Sequence, residues 1–256
     1  YDLRKSENVY LWMVDNNGIK KYDIKEKKIV ESYENKKDHE FYNNNFILLD
    51  SEKNLWISSS DGILKYYPGQ TELNIIKKDE KFKNSLSSNV VTCFYEDFNG
   101  TIWVGTDKGL NILNKNNQFN SVEEQIYLNN KNIVSILKDD SYLWIATKYD
   151  GIYIYDKKTS NLLFIIYDND NGINIKNQHI KSLYKLNEKW SIVITNKGII
   201  SIDREDYTYD HHFIEDGYSS EINYLYSDEE NIWLASTSNF YSYNFNTGET
   251  TYYDED

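Results

Sequence analysis

The chain has 256 residues, and its 41 acidic side chains outnumber its 28 basic ones to leave a net charge of −13. That balance excludes nucleic acid and an anionic membrane as partners, because both select basic surfaces. A single cysteine, Cys93, excludes an intrachain disulfide and a cysteine metal site, and no apolar run approaches the roughly 20 residues of a membrane helix.

Aromatic residues are abundant, with 24 Tyr, 10 Phe and 6 Trp. Tyr, Trp and Ile favour pleated, half-buried surfaces, so the composition leans toward strand. One proline and no glycine-rich linker leave no mark of a domain boundary. The expectation is one domain over 1–256. The chain starts at Tyr1 rather than Met and shows no leader, as expected of a piece excised from a longer receptor. Clusters such as Lys25, Lys27 and Lys28 sit among acidic residues and read as solvated loops.

Taken in chain order, six stretches share one pattern: Tyr10–Asp23 (YLWMVDNNGIKKYD), Asn54–Tyr67 (NLWISSSDGILKYY), Gly100–Asn114 (GTIWVGTDKGLNILN), Tyr142–Asp156 (YLWIATKYDGIYIYD), Trp190–Asp203 (WSIVITNKGIISID) and Asn231–Asn244 (NIWLASTSNFYSYN). One slot holds Trp12, Trp56, Trp103, Trp144, Ile192 and Trp233, at intervals of 41 to 48 residues. In the fifth copy Trp190 precedes the slot by two residues on the same strand face, where it is expected to fill the volume.

A second slot holds Gly18, Gly62, Gly109, Gly151, Gly198 and Asn239. Glycine, then asparagine, is the order expected where a tight hairpin needs positive φ. An apolar residue follows each, and an Asp or Asn ends most copies where the next turn begins. Each copy is flanked upstream by a strand such as Val90–Tyr95, Ile133–Leu137 or Ile222–Tyr226, and downstream by one such as Leu73–Lys77, Leu162–Tyr167 or Thr250–Tyr253. Four short strands every 40-odd residues are the period of a propeller blade. The predicted fold is therefore all-β: a β-propeller of six four-stranded blades, with boundaries near residues 43, 88, 131, 178 and 220. An open β-solenoid is the rival fold, but its repeats are usually shorter.

At these residues the sequence resembles the two-component regulator propeller repeat. The stretch Asp97–Leu113 (DFNGTIWVGTDKGLNIL) carries the family's pattern, and its Leu-Ser-Ser-Asn lead-in stands at Leu86–Asn89. Ile192 and Asn239 depart from it. The resemblance implies the extracytoplasmic sensor part of a membrane-bound histidine kinase or diguanylate cyclase, some of which sense oligosaccharides. The motif residues are structural, so the resemblance implies a fold and a context but no site.

Catalytic motifs are not found. The four histidines, His39, His179, His211 and His212, form no metal-binding pair with helical spacing, and no P-loop, nucleophile elbow or dinucleotide fingerprint occurs. Adjacent His211 and His212 are expected on opposite faces of a strand. Asp168–Gly172 (DNDNG) resembles part of a calcium loop, but its glycine falls one position early for an EF-hand. The expectation is no catalytic residue, no metal and no cofactor.

The residues that precede the inner strands are Asn45, Asn89, Asn132, His179 and Glu221. If those strands line a central channel, these five side chains are the expected ligand-binding set, joined by Tyr42, Phe82, Tyr127 and Tyr218. Aromatic rings beside amides suit a neutral sugar-like ligand. The competing reading is that they cap turns by bonding to backbone. Three functions follow, in order: an extracytoplasmic ligand-sensing module of a signalling receptor, whose partners are a small molecule or oligosaccharide and the rest of the receptor; a glycan- or protein-binding propeller without signalling; and a propeller lyase.

Overall fold

The computed structural model describes residues 10–15, 17–35, 46–70, 72–82, 84–113, 119–120, 128–139, 141–159, 161–166, 175, 178–196, 198–212, 222, 224–227, 231–235 and 240–253. They form 23 strands in six antiparallel sheets, five of four strands and one of three. Sheet one holds β1 (Tyr10–Asp15), β2 (Gly18–Asp23) and β3 (Lys28–Glu34). Its expected inner strand lies outside the described residues.

The later sheets begin at β4 (Ile47–Leu49), β8 (Val91–Glu96), β12 (Ile133–Lys138), β16 (Ile180–Lys185) and β20 (Tyr224–Ser227), within a few residues of the predicted boundaries. In every sheet the strands lie side by side in sequence order. The chain divides into two compact units, Tyr1–Ile133 and Val134–Asp256. Sheets one to three belong to the first unit and sheets four to six to the second.

Each hairpin forms where the glycine slot requires it. Gly18, Gly62, Gly109, Gly151 and Gly198 all have positive φ, between 79° and 137°. At Gly62 a Cβ would also press on the Ile76 carbonyl, so close backbone approach adds to the φ requirement. Asn239 lies outside the described residues.

A hydroxyl that the sequence reading did not single out closes these hairpins. Ser59, Thr106, Thr147 and Thr195 each donate to the carbonyl of their own slot glycine, at 3.3, 2.9, 2.8 and 3.1 Å. The same oxygen accepts an N–H within the turn from Asp61, Lys108 and Asp150 in three copies. In the first copy Asp15 does this with its carboxylate, accepting the Asn17 N–H at 2.8 Å.

The turn before the tryptophan strand is also built alike in copies two and three. Asp50 accepts the Asn54 N–H and, through its other oxygen, the Trp56 indole N–H at 2.8 Å. Asp97 accepts the Asn99 and Thr101 N–H groups and the Trp103 indole at 3.2 Å. One carboxylate thus shapes the turn and satisfies a buried indole.

Copy four diverts that carboxylate. Asp139 pairs with Arg204 of sheet five at 2.6 Å, and Arg204 also donates to the Asn187 carbonyl at 2.9 Å. Trp144 Nε1 is left buried with no partner among the described residues.

The strands of sheets two and five divide their side chains between two seams. In sheet two, Leu55 and Ile57 of β5 (Leu55–Ser59) and Leu64 and Tyr66 of β6 (Gly62–Tyr66) pack on Trp12, Val14 and Ile19 of sheet one. Their neighbours Trp56 and Ile63 pack on Val91, Phe94, Ile102 and Val104 of sheet three. Sheet five does the same with β17 (Trp190–Thr195) and β18 (Gly198–Asp203). Val193, Ile200 and Ile202 meet Trp144 and Ile154 of sheet four, while Ile192, Ile194 and Ile199 meet Ile232, Leu234 and Tyr241 of sheet six.

Ile192 itself fills the slot and is fully buried. Trp190 covers the rim instead, half-buried against Phe245 with ring centroids 5.6 Å apart and with Lys189 over its other side. The expectation that Trp190 replaces the slot residue is corrected: alternation puts it on the right face, but at the strand end the seam is already open.

Cys93 is enclosed in the first unit, where a Cβ on Gly105 would collide with its sulfur. Burial pushes its thiol up to about 12, so the native thiol stays protonated and inert. Ellman-type reagents should therefore label it only after unfolding. Urea titrations should show Trp56→Ala costing about 3–5 kcal/mol, as for other buried tryptophans. Trp190→Ala should cost clearly less, since part of its ring stays in water.

Candidate functional site

In sheets three and four the hairpin that closes the tryptophan strand lies beside an inter-sheet connection. In the first unit Asp107 N–H donates to the Val90 carbonyl at 3.1 Å, and Asn130 N–H to the Lys108 carbonyl at 3.2 Å. In the second, Ile180 N–H donates to the Lys148 carbonyl at 3.0 Å. Hairpins and connections therefore share one end of each of these sheets, and Asn89, Asn132 and His179 lie in those connections.

Asn45 and Glu221, with Tyr42, Tyr127 and Tyr218, lie outside the described residues, as do Asp168–Gly172. Asn89 is committed to backbone: its Oδ1 accepts the Lys78 N–H at 2.7 Å and sits against Gly62. This is the turn-capping role set against the ligand role from sequence. Asn132 is half-buried just before β12. Phe82 is exposed. The Leu-Ser-Ser-Asn lead-in is structural as well: Ser87 bonds Thr106 Oγ1 at 2.8 Å and Asn111 at 2.9 Å, and Ser88 Oγ accepts the Val90 N–H.

His179 differs. Its main chain is fixed by two bonds with Asn196, N–H to Oδ1 at 2.8 Å and C=O from the Asn196 N–H at 3.0 Å. Its ring is stacked on Tyr149, with centroids 5.2 Å apart and planes 25° from parallel. Tyr149 lies in the turn between β13 (Tyr142–Thr147) and β14 (Ile152–Asp156), and is 54% exposed. Lys148 Nζ stands 5.4 Å from the Tyr149 ring centre. Burial first, then the charges of Lys148 and Lys181, hold the His179 imidazole below its ordinary pKa, so it is neutral near pH 7.

Sequence reasoning reached His179 but missed Tyr149. The available signal was length: Thr147 and Gly151 are four positions apart, where Ser59–Gly62, Thr106–Gly109 and Thr195–Gly198 are three.

The paired histidines serve the scaffold. In β19 (Tyr209–His212), His211 Nε2 meets Gln178 at 2.9 Å, whereas His212 bonds Ser201 at 2.8 Å and Tyr243 OH at 2.8 Å. They face different neighbours, as strand alternation requires. Among the described residues no group of three or more His, Cys, Asp or Glu is placed to hold a metal. An apolar cleft in the second unit is lined by Leu225, Tyr226, Trp233, Ala235 and Phe240, and by none of the predicted residues.

Comparison with known proteins now bears on this geometry. A family described as "Two component regulator propeller" matches residues 85–108, the third tryptophan strand with its lead-in. Residues 85–108 are similar to the two component regulator propeller repeat. Histidine kinase P4 of Formosa agariphila is 37% identical to this chain over 97 residues, 34% of the chain and 7% of that kinase.

Two solved extracellular domains of putative hybrid two component systems from B. thetaiotaomicron align with TM-scores of 0.70 and 0.69, both at 21% identity, over 98% and 92% of the chain. The chain spans only 33% and 31% of those chains. A virginiamycin B lyase from Staphylococcus aureus shares the fold at 13% identity, with a TM-score of 0.71 over 99% of the chain and 83% of the lyase. The fold is thus a β-propeller whose six sheets are its blades, and it resembles extracellular domains of hybrid two component systems.

Both His179 and His212 have depressed pKa values, for which burial is the first cause. A base with a lowered folded pKa is protonated first in the unfolded chain. Its contribution to stability is complete above the unfolded value of about 6.5 and is lost as pH falls below it. Melting temperature should therefore fall between pH 7 and 5, and His212→Gln should flatten part of that slope in thermal denaturation.

Proposed function

We propose that this propeller is the ligand-sensing part of an extracytoplasmic receptor and that it binds an oligosaccharide beside Tyr149 and His179. The observation that carries the reading is the exposed Tyr149 ring stacked on a neutral imidazole that replaces the asparagine of copies two to four. A flat aromatic face takes the apolar face of a sugar ring, while an imidazole and nearby main chain orient its hydroxyls. Asn89 is a weaker candidate because its amide already serves the Lys78 backbone.

The kinship with a histidine kinase and with extracellular domains of two component systems supports the signalling context and a location outside the cytoplasm. Fold alone does not choose a function for a propeller. Binding without turnover is favoured over a lyase, because His211 and His212 are occupied by Gln178, Ser201 and Tyr243.

An oligosaccharide panel screened by thermal shift tests the proposal. A hit should raise the melting temperature of the wild type and of Tyr149→Phe, and should lose its effect in Tyr149→Ala and His179→Ala. Hits that bind all four proteins equally would move the site elsewhere. Ligands recovered intact after prolonged incubation are expected; release of a cleaved product would favour the lyase reading.

A further inference from the structure

The outer strand of a propeller blade presents a free edge, and a free edge pairs with another chain unless shortness or charge blunts it. Five of the six outer strands described in this chain are blunted in those ways. Among the described residues β7 (Asn74–Ile76) and β11 (Phe119–Asn120) hold three and two residues. β3, seven residues long, carries Lys28, Glu31 and Glu34, and antiparallel pairing with itself about its midpoint would set Glu31 against Glu31. β19, which carries Asp210, and β23 (Thr250–Tyr253) have four residues each.

The exception is β15 (Asn161–Ile166), NLLFII in sequence and the outermost strand of sheet four. It is six residues long and contains neither a charge nor a proline. Among the described residues it pairs with β14, and no strand lies on its far side. The register skips Leu163, whose side chain is 49% exposed. That bulge takes up one residue and leaves Phe164–Ile166 in regular register with Ile154, Tyr153 and Ile152.

We propose that the free edge of β15 is a dimer interface, which pairs antiparallel with β15 of a second copy of this chain and joins two four-stranded sheets into one of eight. The chemistry of the strand selects that occupant. Copies of a chain with net charge −13 repel each other, so they meet at least cost where no charge is present. Any antiparallel register of β15 on itself sets apolar residues or the terminal Asn161 opposite one another, with no like charges in contact. In sequence an exposed Lys158 precedes the strand and Asp168 follows it, so its two ends differ in sign, as antiparallel pairing of identical strands favours. The contact is two-fold and closes at two copies, because pairing uses the free edge of both.

Sedimentation equilibrium of the 256-residue chain tests this. The wild type should pass reversibly from monomer to dimer with a dissociation constant between about 1 μM and 1 mM, as suits a contact smaller than roughly 1,200 Å². Leu163→Lys, which puts a charge at a half-exposed position of the edge, should weaken the dimer by about tenfold or more. Tyr226→Lys, at an exposed aromatic of sheet six, should leave the dimer unchanged. Hydrogen exchange gives a readout that needs no variant: amides of Asn161–Ile166 should gain protection as the wild-type concentration rises through the dissociation constant. A wild type that stays monomeric at about 1 mM, grows beyond a dimer, or dimerises with no added protection in β15 overturns the proposal. So does a folded Leu163→Lys variant that dimerises like the wild type, or loss of the dimer in Tyr226→Lys.

Discussion

A strand that is apolar on both faces cannot rest against water on either side, and the middle strands of these sheets are of that kind. Leu55 and Ile57 look to one neighbour while Trp56 looks to the other; Val193 likewise separates from Ile192 and Ile194. Burial of apolar surface is the main favourable term in folding, and here no sheet can collect it alone. Within each unit, every seam is built from alternate residues of two adjacent sheets. The slot tryptophans Trp12, Trp56 and Trp144 are the largest side chains of their seams, and the hairpins, turn carboxylates and hydroxyl clips hold the ends of their strands.

The same constraint explains the departures. Trp56 and Trp103 hand their indole N–H to the turn aspartate, so a large ring is buried without an orphan donor. In copy four the aspartate serves Arg204, whose side chain is only 5% exposed, and the Trp144 indole goes without. A buried guanidinium left unpaired costs more than a neutral N–H left unpaired, so the ion pair takes the carboxylate. Sheet six shows the slot with less cover: Trp233 is half-buried and stacks on Phe240 at 5.6 Å, with Tyr253 completing the aromatic layer.

Function on such a scaffold falls to the residues that the seams do not use. Hairpin turns and inter-sheet connections meet at one end of the sheets, where side chains change without disturbing the core. There Asn89 remains a backbone cap. Tyr149 and His179 form a stacked, partly exposed pair with Lys148 over the tyrosine ring. Both lie on elements pinned by main-chain bonds, Ile180 to Lys148 and His179 to Asn196, which hold the pair in place.

Periodicity by itself determined the number of sheets, the order of their strands and the tryptophan and glycine slots. These features are local: a strand's alternation, a hairpin's positive φ and an Asx turn are settled by residues within about six positions. The sequence also separated His211 from His212, because alternation is a local property. What remained for the tertiary structure were meetings between distant residues: Asp139 with Arg204, Tyr66 with Glu31 at 2.7 Å, and Tyr149 with His179. Asn89 and His179 occupy the same slot in the repeat, and no local rule distinguishes a side chain that caps backbone from one that stacks on an exposed ring. Tertiary contact decided it, because the role of a polar side chain depends on whether a backbone N–H or an exposed ring stands opposite.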